Sequence, residues 1–276
     1  MHGPDSSWLY SLPQRRRQLS RFENLGLIEA CERCETVELW METEPNAQLV
    51  LIWLLDYLGP RAKTSNIILR HIDASLRGVE PKRLAQMKFR GVAINDHHLE
   101  VASLAWRAFR APTPKACFDL LSKDLSILPY LRRGVLEMLE ELPGRITGLS
   151  ASEMRMLELI SAGYEQPFDV FPHHRERFQR RVFGYWEAGP LLEGLALAPT
   201  PAVSGLVEWP FTLEMHDDPA RLPRYKESLI SLTEFGKHIL AYKEDFSRHN
   251  PIDRWWGGTH LTNDNLWRWG TALIAP

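Results

Sequence analysis

The alternation of apolar and polar positions divides the chain into an α/β opening, a helical middle and a mixed C-terminal part. RRRQLSRFENLGLIEACERC (15–34) sets Leu19, Phe22, Leu27 and Ile28 on one side of an amphipathic helix. TVELWM is a short apolar run suited to a buried strand, and EPNAQLVLIWLLDYLGP reads as a helix stopped at Gly59-Pro60. SNIILRHID supplies a second buried strand. This β-α-β order predicts parallel strands covered by the intervening helix. Ligands of such sheets gather at the carboxyl ends of the strands, here Met41 to Glu44 and Arg70 to Asp73.

From 80 to 142 the pattern is helical throughout. Asn95 or Asp96 caps a helix with Leu99, Ala102, Trp106 and Phe109 at helical spacing. LPGRITGLSAS (142–152) marks a boundary. SASEMRMLELISAG then starts at Ser150 or Ser152, with Glu153 in capping-box register to Ser150. PFDVFPHHRERFQRRVFGYWEAGP supplies further helix, APTPAVSGLVEWPFTLEM reads as strand-turn-strand, and SLTEFGKHILAYKEDFSRHN as one capped helix. Helices, a hairpin and the phrase Leu232-Thr233-Glu234-Phe235-Gly236 follow the order of a winged helix. The expected architecture is an α/β region with a small, mostly parallel sheet (1–79) and a helical connector packed on it (80–144). A winged-helix-like α+β domain (145–276), closed by a tryptophan-rich clasp, completes it.

Composition adds little to this pattern. With 44% hydrophobic and 25% charged residues and a net charge of −2, the chain has no global field drawing it to nucleic acid or membrane. The longest apolar run, LVLIWLL, is too short to span a bilayer. Three cysteines, Cys31, Cys34 and Cys117, with no signal peptide favour reduced thiols and the cytoplasm. Cys31 and Cys34 form a C-x-x-C at a helix end, whereas the redox motif opens a helix and zinc needs two further ligands.

Three places carry candidate chemistry. Glu42 and Glu44 flank Thr43 at a strand end and point the same way by two-residue alternation, with Asp73 after the second strand and His71 on Asp73's side. Together Glu42, Glu44 and Asp73 suit Mg²⁺ or acid–base work; the plainer reading has the acids favouring the start of the next helix. Gln48, one turn into that helix, is a candidate polar contact. Arg175, Arg177, Arg180 and Arg181 fall where a recognition helix would lie and could meet phosphates, although adjacent Arg180 and Arg181 cannot share one face. The expected hairpin has no Lys or Arg, which makes it a poor wing for nucleic acid. The tandem pairs His97-His98 and His173-His174 diverge on a helix and make no metal clamp. No phosphate loop or nucleophile elbow is present.

The third place is IDRWWGGTHLTNDNLWRW (252–269), which holds four of the ten tryptophans. Gly257-Gly258 permits a tight reversal, so the indoles fold onto each other or onto the winged helix, with Arg254 or Arg268 stacked on an indole or paired with Asp253. The rival is a ligand slot in which Asp253, Arg254 and His260 project into the interdomain cleft beside an aromatic wall.

ELWMETEPNAQLVLIWLLDYLG, GLSASEMRMLELISAG and LTEFGKHIL with NPIDRWWGGTHL and Trp267-Arg268-Trp269 resemble, in this order, the bacterial proteins grouped as domain of unknown function 1835. The resemblance runs from about 15 to 270, and Asp253 to Leu261 is its most specific part. It implies an α/β N-terminal and a helical C-terminal region, and no settled activity. Members open with a strand and a Gly-Asp-Ser-like loop ahead of a Gly-Pro, which this chain meets at Gly3-Pro4. Where they carry Glu-His-Asp and then Asp-Gln, this chain has Glu42-Thr43-Glu44 and Ala47-Gln48. Both departures weigh against catalysis. The expected function is a cytoplasmic, non-enzymatic binding or regulatory protein contacting nucleic acid or protein, with no cofactor evident. The alternative is a metal-assisted hydrolase or nucleotide-processing enzyme, in which alone Mg²⁺ has a place.

Overall fold

The computed structural model describes residues 26–60, 66–72, 81–171 and 182–276. Helix α1 (Leu27–Glu32) begins only after Gly26, whose extended backbone ends the continuous helix expected over 15–34. Strand β1 (Val37–Glu42), helix α2 (Pro45–Leu58) and strand β2 (Ile67–Ile72) form the β-α-β unit. β1 and β2 run parallel, from Val37 opposite Ile67 to Glu42 opposite Ile72. Leu51, Ile52, Leu55 and Leu58 of α2 are buried in the core. At about 25 cal/mol per Å² of apolar surface, this burial supplies the driving force that helix propensity alone lacks.

Helix α3 (Pro81–Gln86) precedes a strand that the sequence pattern conceals. Strand β3 (Gly91–Ala93) pairs antiparallel with β2, so the sheet order is β1-β2-β3 and the 80–142 block is not helical throughout. Its three residues are exposed and held by backbone pairing, which leaves no periodicity to read. Helices α4 (Asp96–Phe109), α5 (Lys115–Leu120) and α6 (Leu131–Leu139) follow, and α2 packs on both α4 and α6. Asn95 is the cap of α4: its Oδ1 accepts His98 N at 3.2 Å, and His98 Nδ1 accepts Asn95 N at 3.3 Å.

Helix α7 (Ala151–Ser161) opens with the Ser150–Glu153 capping box. After a 3₁₀ turn (Pro167–Val170) come helix α8 (Tyr185–Ala196), strand β4 (Val203–Ser204), a second 3₁₀ turn (Leu213–Asp217), helix α9 (Arg221–Glu227), strand β5 (Ser231–Leu232) and helix α10 (Glu234–Leu240). The hairpin expected over 198–215 is absent. β4 pairs with β5 instead, Val203 opposite Leu232. Pro210 cannot donate to a ladder, and Leu206, Phe211 and Met215 all turn into the core rather than alternate. Thr233 caps α10, and a Cβ at Gly236 would lie 2.0 Å from Ala202 O, so only glycine lets the helix reach the chain entering β4. The helix stops at Leu240 and Tyr242 takes φ 58°; α11 (Phe246–His249) is separate, so 231–250 is not one helix.

The C-terminus is a hairpin of β6 (Asp253–Trp256) and β7 (Thr259–Thr262), followed by a shorter pair, β8 (Arg268–Trp269) and β9 (Leu273–Ile274). The chain is thus mixed α/β with several small sheets. Among the described residues no helix is long and apolar enough to cross a membrane.

Candidate functional site: a cavity under the tryptophan hairpin

Two places unite the candidate residues. At the strand ends, Glu42 closes β1 and Glu44 is the N-cap residue of α2, its carboxylate not serving as the cap. Because Glu42 is opposite Ile72 and Met41 opposite His71, alternation sets Glu42 and His71 on opposite faces of the sheet. Asp73 lies outside the described residues. Gln48 is wholly buried and donates Nε2–H to Glu42 O at 2.8 Å, while its Oε1 accepts nothing among the described residues. Both ring nitrogens of His71 are likewise buried with no hydrogen-bond partner among the described residues, and the ring meets the edge of Tyr130 at 4.8 Å. Burial, then repulsion from His98, lowers the His71 pKa and favours neutral imidazole. Among the described residues no group of three His, Cys, Asp or Glu side chains is placed to hold a metal ion. Cys31 and Cys34 are unbridged, and burial pushes the Cys31 thiol up, away from the reactive thiolate.

The second place is the β6–β7 hairpin, which folds onto the N-terminal helices. Its loop is Gly257-Gly258, with φ 53° at the first position as a two-residue hairpin needs. Gly258 N–H donates to Phe109 O at 2.9 Å, satisfying a carbonyl at the end of α4. A Cβ at Gly257 would stand 2.2 Å from Phe109 O, and one at Gly258 2.0 Å from Arg110 O, so neither position tolerates a side chain. Trp256 is buried, donates its indole N–H to Met138 O at 2.8 Å and packs against the Phe109 ring at 5.5 Å.

The arginines find partners other than those expected. Arg254 Nη1 donates to Glu153 Oε1 at 3.0 Å, and Glu153 Oε2 accepts Ser150 N at 2.7 Å. One carboxylate therefore both caps α7 and holds Arg254. The Arg254 Nη2 is buried with no acceptor among the described residues. Arg268 pairs with Asp245 at 2.9 Å, not with Asp253 or an indole. Asp253 instead bonds His260 at 2.7 Å, and the His260 ring stacks on Trp255 at 4.7 Å and 12°.

Under this hairpin lies a cavity of about 410 Å³. Leu49 of α2, Phe109 of α4 and Met138 of α6 meet Phe183, Leu191 and the hairpin's Trp255 and Trp256 around it, with Arg254, Glu141, Glu187 and Asn46 as polar members. Glu141 is itself buried and accepts Ser152 Oγ at 2.8 Å. Of the three residues expected in the slot, only Arg254 lines it. Asp253 and His260 are taken up by each other, with His260 behind Trp255. A larger trough of about 770 Å³ by Ile146, Tyr242 and Trp269 is an open surface feature with no buried, partnerless polar atom among its lining. In the sequence Phe109 reads as an ordinary apolar helix position and Glu153 as a cap only. Nothing in one sequence distinguishes a cavity wall from a core contact.

Arg175, Arg177, Arg180 and Arg181 lie outside the described residues, as do His173 and His174. No protein-family model, curated protein or solved structure matches the chain.

Proposed function

We propose that the protein is a non-enzymatic, cytoplasmic binding and regulatory protein that takes a small ligand into the cavity under the tryptophan hairpin. The observation that carries this reading is the cavity itself. Segments far apart in sequence build it jointly, its size falls within the ~300–1,000 Å³ of small-molecule sites, and one guanidinium is held at its wall by a buried carboxylate. A ligand there touches α2, α4, α6, α8 and the hairpin together, so occupancy bears on how these elements sit against one another.

Helices α7 and α8 ahead of the antiparallel pair β4–β5, whose strands α9 separates along the chain, and the Thr233 cap of α10 support a winged-helix-like output that contacts protein or nucleic acid. The phrases at 253–261 and 267–269 support kinship with domain of unknown function 1835. Three free cysteines, two of them buried, suit a reducing compartment.

A thermal-shift and tryptophan-fluorescence screen of metabolites against the full chain tests the cavity. Ligands should raise the melting temperature of the native protein, and Leu49→Trp, which fills the space, should abolish the effect. A shift unchanged in Leu49→Trp puts the ligand elsewhere. For the output, full-length binding to nucleic acid should weaken steeply with salt if phosphates are contacted; salt-independent or absent binding removes the nucleic-acid reading.

A further inference from the structure

Where the chain leaves β4 and later enters β5, two aliphatic side chains stand out of the surface. Val207 is 77% exposed and Leu229 66%, the most of any large aliphatic side chains among the described residues, and both line one open trough of about 610 Å³. Their chain neighbours Leu206 and Ile230 are buried in the core, and Ile230 N–H donates to Glu165 O at 2.7 Å. A Cβ at Gly205 would stand 1.9 Å from Leu229 O, so the two chain segments are fixed against each other. Turning Val207 or Leu229 inward would therefore expose Leu206 or Ile230 in exchange, with no net burial to drive it.

Trp209 joins them in the trough, with the Arg224 guanidinium 4.6 Å over its ring. Glu208 and Glu227 line the same trough, and neither carboxylate has a hydrogen-bond or ion-pair partner among the described residues. Arg224 is the one cation among the lining residues, and no Lys or Arg lies between Gly205 and Asp218. Exposed aliphatic residues scattered singly are ordinary, but an apolar centre with a charged rim has the make-up of a protein contact. The predominantly acidic rim repels phosphates, which need a positive surface.

We infer that this trough is the contact surface of the output, and that its occupant is a segment of another protein in which apolar side chains are flanked by Lys or Arg. The inference rests on the winged-helix-like output proposed above and chooses protein over nucleic acid within it; it does not depend on the cavity under the hairpin. The partner's apolar side chains cover Val207, Leu229 and Trp209, and its cations meet Glu208 and Glu227. The buried apolar contact sets how long the partner stays, and the rim charges how fast it arrives.

The test is selection from a displayed library of random short peptides on the full-length protein, followed by fluorescence anisotropy of the selected peptides. Peptides that combine Leu, Ile, Phe or Trp with Lys or Arg should dominate. Val207→Asp and Leu229→Asp, changes at exposed positions that should leave the melting temperature unaltered, should each weaken binding roughly tenfold or more. Glu208→Lys together with Glu227→Lys should weaken it severalfold at low salt and little at high salt, as rim charges do. Selected peptides that lack Lys and Arg, or whose affinity none of these substitutions moves, overturn the inference. Dimerisation of the native chain that Val207→Asp abolishes would make the occupant a second copy and overturn it as well. A nucleic-acid duplex that binds with steep salt dependence, while no peptide engages the trough, overturns it and leaves the output reading standing on nucleic acid. If neither peptide nor duplex binds, the output reading falls with it.

Discussion

The strand ends and the hairpin cavity both gather polar side chains, but they use them in opposite ways. At the strand ends, Gln48 and His71 are drawn under the helices, and Gln48 spends its amide on a carbonyl of its own fold. At the hairpin, the charges pair along the margins: Arg254 with Glu153, Asp253 with His260, Arg268 with Asp245. That leaves aromatic surface facing open space. A cluster of polar residue types marks a site only when packing leaves their surroundings accessible, and alternation along a strand does not supply that information.

Four perturbations sharpen or break this comparison. Trp256→Ala should have the largest effect, about 3–5 kcal/mol by urea unfolding, because it empties a buried indole site and removes the indole bond to Met138 O, which is left with Glu141 N–H as its donor. A loss under 1 kcal/mol denies that the hairpin holds the halves together. Glu153→Ala should cost about 2–3 kcal/mol, combining a lost cap with an uncompensated arginine, discounted because the Arg254 side chain keeps 28% exposure. Ligand binding should fall with it. Were Glu153→Ala to match an exposed-site substitution, Arg254 would not depend on it.

The strand ends respond to pH instead. His71 and His98 both have lowered pKa values, burial being the first cause in each. The unfolded chain therefore takes up protons first, and stability should fall as pH drops below the ordinary histidine value of about 6.5 towards the lowered folded value. The slope should stay under the ceiling of about 2.7 kcal/mol per pH unit for two groups, ~1.4 from each. His71→Phe should reduce it to the share of His98; an unchanged slope moves the effect to other groups. Smallest of all, Gln48→Met should change stability by less than about 1 kcal/mol, because the lost bond to Glu42 O is offset by removing a buried oxygen that has no donor among the described residues. A large loss would give Gln48 a role beyond its own helix.

The elements that could be read from the sequence were those with a repeating physical signal. β1, α2 and β2 carry continuous apolar runs with a Gly-Pro stop, and Ser150 with Glu153 announced the start of α7. β3, β4 and β5 have two or three residues each and are set by backbone pairing to partners elsewhere in the chain, so no window of sequence contains their cause. The Gly257-Gly258 reversal was legible as a turn, but its destination at the end of α4 was not, since that depends on Phe109 O lying within reach. For the same reason Arg254 was recognisable as a candidate while Glu153, 101 residues away, was not recognisable as its partner.

The most direct measurement is an NMR titration following the tryptophan indole N–H signals, each assigned by single Trp→Phe variants, as ligand is added. Trp40 lies on β1 and bonds Glu38, so it reports on the sheet; Trp255 and Trp256 report on the cavity. The account predicts saturable shifts at Trp255 and Trp256 with Trp40 unmoved. Shifts at Trp40 with the hairpin signals unchanged would contradict it and return the site to the strand ends.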